Sequence, residues 1–177
     1  MNSKLLLQNL RNIPDFPKPG IQFKDVSTLF KNPDCHQEML DELMRLYQDK
    51  GITKIVGIES RGFVMGAMLA ARLGIGFVMC RKRNKLPGEV YTVSYQKEYG
   101  IDKVEMQKDA LSSDDVVLIH DDLLATGGSM VAAIELVKKF QPRKIYVNFL
   151  IELRMEGLQG REALAGNDLT TLLTIEE

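Results

Sequence analysis

One stretch constrains this chain more than any other: VVLIHDDLLATGGSM at 116–130. Its first five residues, VVLIH at 116–120, are apolar or β-favouring and read as a central strand. They run into Asp121-Asp122, then LLATGGS, then SMVAAIELVKKF at 129–140, where Met130, Val131, Ile134 and Val137 share one helical face and Pro142 ends the helix. A strand that passes through paired glycines straight into a helix is a connection of an open α/β sheet. Thr126, Gly127, Gly128 and Ser129 stand at the helix start, where backbone N–H groups are unpaired and the helix dipole is positive. The glycines let the backbone close around an anion and the two hydroxyls add donors, which suits a phosphate. The loop contains neither GxxxxGK[ST] nor GxGxxG. Carboxylates accept hydrogen bonds and repel phosphate, so an acidic pair just ahead of a phosphate loop is placed to meet hydroxyls. A phosphate with a diol beside it describes ribose 5-phosphate. The plainer alternative is a glycine cap behind a solvated acidic turn, and the unbroken order of apolar strand, acid pair, ATGGS and helix weighs against it.

The rest of the chain extends the same pattern. KIVGIE at 54–59 reads as a short buried strand, followed by a helix from about Arg61 to Leu73 and a strand at IGFVMC. Residues 90–107 alternate around VYTVSY and VEMQ, with EYGID between them, and read as a hairpin; KIYVNFL at 144–150 is another strand. Ahead of these, residues 33–50 carry a helical stripe of Met39, Leu40, Leu43, Met44, Leu46 and Tyr47, opened by Asn32-Pro33 and closed by Gly51. PDFPKPG at 14–20 is an extended loop, and MNSKLLLQNLRNIPDF reads as a helix, not a signal peptide. This order predicts an α/β fold: a mostly parallel sheet with helices on both faces, a flexible hairpin and an N-terminal segment set apart from the sheet. Ligands in such sheets sit at the carboxyl ends of the strands, here 59–62, 81–89 and 121–129.

Composition narrows the classes. A length of 177 residues suits one domain, and 45% hydrophobic with 27% charged residues excludes disordered and collagen-like chains. Lys plus Arg number 23 against 24 Asp plus Glu, which argues against a surface built to grip nucleic acid. Two cysteines and two histidines match neither a disulfide framework nor a zinc motif and read as free thiols in a reducing compartment. The apolar run at 63–80 contains Arg72, Gly74 and Gly76, so it reads as a buried helix and strand rather than a membrane span. A cytoplasmic location with no membrane partner is expected.

Two basic features need a reason. Arg61 in ESRG falls in the first turn of a helix, where a cation is unfavourable unless an anion binds there. Arg81, Lys82, Arg83 and Lys85 leave the end of a core strand on the ligand side and run into LPGE, as a mobile basic loop at a polyphosphate site would.

VVLIHDDLLATGGSM resembles the phosphoribosyl pyrophosphate motif of the type I phosphoribosyltransferase family, in the DDLLATGG form of its adenine-specific branch. IPDFPKPGIQFKD at 13–25, GIESRGF at 57–63, RKRNKLPG at 81–88, EYG at 98–100 and QKDAL at 107–111 occur in the family's order, and the likeness runs to GRE at 160–162. His120 stands where an aliphatic residue is commoner, Ser129 for Thr, Lys24 for Arg and Glu59 for Asp; His120 reads as a satisfied strand-end histidine.

The resemblance implies a single domain over 1–177, with residues 1–34 contributing a base-binding hood, and purine salvage in which adenine and 5-phosphoribosyl 1-pyrophosphate give AMP and pyrophosphate. It implies Mg²⁺ bound mainly through the substrate, and a homodimer. Asp121 and Asp122 then hold the ribose hydroxyls, and Ala125, Thr126, Gly127, Gly128 and Ser129 the 5-phosphate. Glu59, Ser60, Arg61 and Gly62 form the pyrophosphate loop, with Arg61 a direct partner and the Glu59–Ser60 peptide cis; Arg81, Lys82 and Lys85 supply further charge, and a basic residue of the 81–85 run reaches a neighbouring site. Adenine stacks on Phe23, with the backbone of Gln22 and Lys24 at its edge; Glu98 moves the proton and Tyr99 stands close to the reacting centre. Related enzymes for 6-oxopurines carry an Asp where Ala125 stands, which weighs against hypoxanthine or guanine as the base. A nucleotide-binding regulator would need a DNA-binding domain, and only about 30 residues precede the first core helix.

Overall fold

In chain order the elements are α1 (Ser3–Asn9), β1 (Arg11–Pro14), β2 (Gln22–Asp25), α2 (Ser27–Phe30) and α3 (Pro33–Tyr47), then β3 (Lys54–Ile58), α4 (Gly62–Leu73) and β4 (Gly76–Lys82). The hairpin β5 (Val90–Gln96) and β6 (Ile101–Gln107) follows, then β7 (Val116–Leu124), α5 (Gly128–Lys138), β8 (Lys144–Arg154), α6 (Gly160–Ala163) and β9 (Asp168–Glu176). They come from a computed structural model that describes residues 1–96, 100–155 and 157–176.

The central sheet has the order β5-β6-β4-β3-β7-β8-β9. The five strands from β4 to β9 run parallel, and the β5–β6 hairpin joins antiparallel through Arg81↔Glu105 and Lys82↔Val104. Helices cover both faces. Leu118 of β7 packs with α3 and α4, whereas its neighbours Val117 and Ile119 pack with α5. That alternation is what a strand buried on both faces requires. From β3 the chain crosses through α4 to β4 on one side; from β7 it crosses through α5 to β8 on the other. β3 and β7 are therefore the topological switch point, where a crevice opens at the strands' carboxyl ends.

Several boundaries differ from the sequence expectation. β7 continues four residues past His120, because β8 is long enough to pair with it at Asp121↔Phe149, Leu123↔Ile151 and Leu124↔Glu152. The acidic pair is thus part of the strand and not a turn after it. β4 likewise extends through Arg81 and Lys82, so the basic run begins inside a strand. The first helix stops at Asn9, and the next residues form β1, which pairs with β2 across the PDFPKPG turn. Neither β9 nor α6 was evident from periodicity. Asn32 caps α3 as expected, accepting from the N–H groups of Asp34 and Cys35 at 2.9 and 3.3 Å. Residues 63–80 resolve into α4 and β4, and among the described residues no helix is long and apolar enough to cross a membrane.

Candidate active site

Asp121 and Asp122 lie near the end of β7, before the loop, with 9% and 3% of their surfaces exposed. The Asp122 N–H donates to Asp121 Oδ1 at 2.9 Å. Gly62 brings the start of α4 down onto this pair. A Cβ there would stand 2.7 Å from the His120 carbonyl oxygen and 3.0 Å from Asp121 Oδ1, so only glycine permits the approach. The approach sets Arg61 beside the acids, its Nε 2.7 Å from Asp122 Oδ2, in an ion pair too oblique to count as a hydrogen bond. Burial pushes both carboxyls above the ordinary aspartate range; the charge of Asp122 adds to the rise at Asp121, and the Arg61 guanidinium opposes it at both. Two adjacent buried carboxylates with one partly exposed cation are short of positive charge.

Arg61 also faces the N-terminal hairpin, its guanidinium carbon 5.7 Å from the centroid of the Phe23 ring. Phe16 packs edge-on to Phe23 at 5.1 Å. Phe23 is half-buried on β2 opposite Ile13, and Gln22 on the same strand accepts from Asn12 Nδ2 at 2.6 Å. Lys24 pairs in register with Asn12. The strand is tied back by Asp25, which accepts from Arg11 Nε and from the Ser27 N–H, both at 3.0 Å. The Ser27 hydrogen bonds, with help from Arg11, hold the Asp25 carboxyl down to about 2.

The Glu59–Ser60 peptide is cis, as the resemblance implies. Glu59 accepts from Arg81 Nε and Nη2 at 3.1 and 3.2 Å and from the Lys82 N–H at 2.9 Å, and the Arg81 hydrogen bonds hold its carboxyl below the ordinary range. Arg81 Nη1 also donates to the Lys85 carbonyl at 3.1 Å. Arg81 is therefore engaged within the chain, while Ser60, Lys82 and Lys85 are exposed. The buried carboxylate of Glu105 fixes the turn of the basic run by accepting from the Asn84 N–H at 2.9 Å.

In the loop before α5, Gly127 has φ +80°, the left-handed conformation that favours glycine. Gly128 opens the helix, and its missing side chain faces Gln96 and Tyr95 of β5: a Cβ would lie 3.4 Å from the Gln96 carbonyl oxygen. The hairpin thus abuts the N-terminus of α5. Glu98 and Tyr99 fall outside the described residues. Thr126 is exposed and Ser129 half-buried; Ala125 is covered by Gly160.

His120 is fully buried, and its Nδ1 lies 2.8 Å from Asn148 Oδ1. Asn148 Nδ2 donates to Thr170 Oγ1 at 3.1 Å, so its oxygen is the acceptor and His120 Nδ1 carries the proton. Burial pushes His120 down to about 4, which leaves it neutral, and Nε2 has no partner. The expected satisfied histidine is satisfied on one nitrogen. Sequence reasoning also passed over Glu152, Gly160 and Arg161, which pack behind the glycine loop; an acid inside the apolar run FLIEL was the available signal.

A phosphoribosyl transferase domain matches residues 25–165. The chain is 60% identical over 177 residues to an adenine phosphoribosyltransferase of Phocaeicola vulgatus, covering 99% of this chain and all of the relative. Its fold superposes with TM-score 0.92 on the Giardia lamblia enzyme of that activity complexed with 9-deazaadenine, at 41% identity over 100% of this chain and 99% of the other. The Saccharomyces cerevisiae adenine phosphoribosyltransferase, complexed with adenine and an imino-altritol bisphosphate, matches with TM-score 0.89 and 42% identity over 97% and 98% of the two chains.

Proposed function

Because the chain belongs to the phosphoribosyl transferase family, among its adenine phosphoribosyltransferases, we propose that the crevice at the ends of β3 and β7 is its active site. The reaction is the transfer of a 5-phosphoribosyl group from its 1-pyrophosphate to adenine, giving AMP and pyrophosphate in purine salvage. The observation that carries the assignment of the site is the buried Asp121-Asp122 pair, with Arg61 against it, immediately ahead of a left-handed glycine and a helix N-terminus.

In this reading Asp121 and Asp122 accept hydrogen bonds from the ribose 2- and 3-hydroxyls. The N–H groups of residues 125–129, with the Thr126 and Ser129 hydroxyls, hold the 5-phosphate. The bond from C1 to the pyrophosphate oxygen breaks with its electrons leaving on pyrophosphate, and the adenine N9 lone pair forms the new bond to C1. Arg61, with the Ser60–Gly62 backbone, takes the negative charge that develops on the leaving group. Phe23 stacks on the base, flanked by the backbone of Gln22 and Lys24. Glu98 takes the N9 proton, and Tyr99 closes on the reacting centre. Glu59 holds Arg81 in place beneath the loop.

Among the described residues no three His, Cys, Asp or Glu side chains converge into a metal cage. Mg²⁺, when bound, would be held mainly by the substrate's phosphates and by waters, and would supply charge neutralisation at the pyrophosphate. With Arg81 engaged by Glu59, the exposed Lys82, Arg83 and Lys85 are the cations of this run available to a partner's site in a homodimer. Residues 1–34 act as the hood of one domain, and two buried, unpaired cysteines accord with a cytoplasmic enzyme.

Incubation with ¹⁴C-labelled adenine, hypoxanthine and guanine, each with 5-phosphoribosyl 1-pyrophosphate, tests the base. Label should enter the nucleotide from adenine alone, and equal labelling from hypoxanthine would refute adenine specificity. Thr126→Glu, which sets a carboxylate in the loop, tests the phosphate assignment: it should abolish ribose 5-phosphate binding with normal circular dichroism.

A further inference from the structure

Behind the glycine loop, outside every residue assigned so far, lies a buried carboxylate with several partners. Glu152 is 1% exposed on β8 and pairs in register with Leu124, the last residue of β7 before the loop. It accepts from Arg161 Nε and Nη2 at 2.6 and 2.5 Å, from Arg154 Nε at 3.2 Å and from Thr171 Oγ1 at 3.3 Å. The carboxylate is buried while the Arg161 and Arg154 side chains are 45% and 49% exposed, so the two cations reach in from the surface to a fixed anion on β8.

What the cluster holds is α6. Arg161 is the second residue of that short helix, and Gly160, the first, is pressed against the loop. A Cβ on Gly160 would fall 2.3 Å from the Ala125 carbonyl oxygen and 2.7 Å from Leu124 Cδ1. The fit is reciprocal, because a Cβ on Gly127 would stand 3.1 Å from the Gly160 carbonyl oxygen. The loop backbone is therefore confined at Leu124, Ala125 and Gly127 by the bare backbone of Gly160, and Gly160 is anchored through the next residue to Glu152.

We propose that Gly160 and the Arg161–Glu152 pair are positioning residues for the 5-phosphate: the two-pronged ion pair pins α6, and Gly160 sets the path of residues 125–127 so that their N–H groups converge on the anion. The inference rests on the assignment of residues 125–129 to that phosphate. None of the three residues touches substrate in this arrangement; they act through the loop.

Two variants test it. Arg161→Lys keeps the charge and loses the fork. Gly160→Ala adds one methyl where φ is not left-handed, so it acts through its contacts with Ala125 and Leu124 and not through backbone strain. Calorimetric affinity for ribose 5-phosphate and KM for 5-phosphoribosyl 1-pyrophosphate should worsen roughly 10- to 100-fold in each, with KM for adenine moving about threefold or less. A merely structural role would lower the melting temperature and leave the two KM values in their original ratio, which would overturn the proposal. Affinity for ribose 5-phosphate within about twofold of the parent in Arg161→Lys would also overturn it, and this variant decides the matter if Gly160→Ala does not fold. Thr126→Glu measured alongside separates the two failures. If it abolishes binding while the Arg161 and Gly160 variants bind normally, the positioning role alone is lost. If Thr126→Glu binds normally, the loop assignment is lost and the inference with it.

Discussion

Arg61 lies against Asp122, Nε to Oδ2 at 2.7 Å, with the arginine side chain 39% exposed and the aspartate side chain 4% exposed. The cation is at the surface of the crevice and the anion at its floor. On the proposed assignment, an arriving polyanion would compete for the exposed partner and an arriving diol would satisfy the buried one, so the two halves of the substrate would take over both ends of this ion pair.

Removing this cation should therefore damage binding of the ribosyl donor and spare the base. Arg61→Ala is expected to lower kcat/KM for 5-phosphoribosyl 1-pyrophosphate by roughly 10²–10³-fold, with Arg61→Lys in between. Steady-state kinetics with each substrate varied in turn checks it; an equal loss in the KM for adenine would place Arg61 elsewhere in the mechanism.

The acidic floor should cost stability when the site is empty. Burial raises the Asp121 carboxyl above its unfolded value, so the native state binds more protons there than the unfolded chain. The stability associated with this group is complete below the unfolded pKa of 3.8 and is lost as pH rises through the folded value. Asp121→Asn should raise the urea midpoint at pH 8 by the equivalent of about 1–2 kcal/mol, with a smaller gain at pH 4.5, while activity falls. A variant less stable than the parent at pH 8 would contradict the reading.

His120 has the opposite sign. Burial holds its folded pKa at about 4, below the ordinary histidine value of 6.5, so the unfolded chain binds the extra proton between these values and stability falls as pH drops through that window. The full loss, reached below pH 4, is on the order of 3 kcal/mol for a group with no exposure to solvent. Urea midpoints at pH 7, 5.5 and 4.5 should fall more steeply in the parent than in His120→Val. Parallel pH dependences would show that His120 is not the titrating group.

Proton transfer at the base supplies a fourth test. Glu98→Gln preserves size and hydrogen bonding and cannot accept the N9 proton. Turnover should drop by roughly 10²–10⁴-fold with a smaller change in the KM for adenine. Pre-steady-state measurement keeps slow product release from hiding the defect. Parent-like single-turnover rates across pH 6–9 would remove Glu98 from this role.

The parts of this fold that follow from local chemistry were legible in the sequence. The run from Val116 to Met130 disclosed a strand, an acid pair and a glycine-led helix start, because each depends on residue types in immediate succession. The cap at Asn32 and the hairpin at 90–107 were legible for the same reason. Where neighbours in space decided the outcome, the sequence was silent. The continuation of β7 through Asp121 and Asp122 depends on β8 being long enough to pair with it. Arg81 looked free as part of a basic run, and its engagement by Glu59 requires two strand ends to be adjacent. Direction was also hidden: paired glycines implied room for an anion at both positions, yet the open side of Gly128 faces β5 and that of Gly127 faces Gly160.

The hairpin of β1 and β2 forms a sheet of its own, and among the described residues no ladder joins it to the seven-stranded sheet. One contact it makes with the rest of the crevice is a ring face against a guanidinium, Phe23 on Arg61, which tolerates small changes of angle and distance far better than a strand register does. Substitutions that reshape residues 11–25 can therefore accumulate without disturbing how β3 and β7 present their loops. On the proposed assignment of the base to Phe23 and of the sugar phosphate to the β3 and β7 loops, taste for the one and grip on the other are separately heritable, and selection can retune the first while the second stands unchanged.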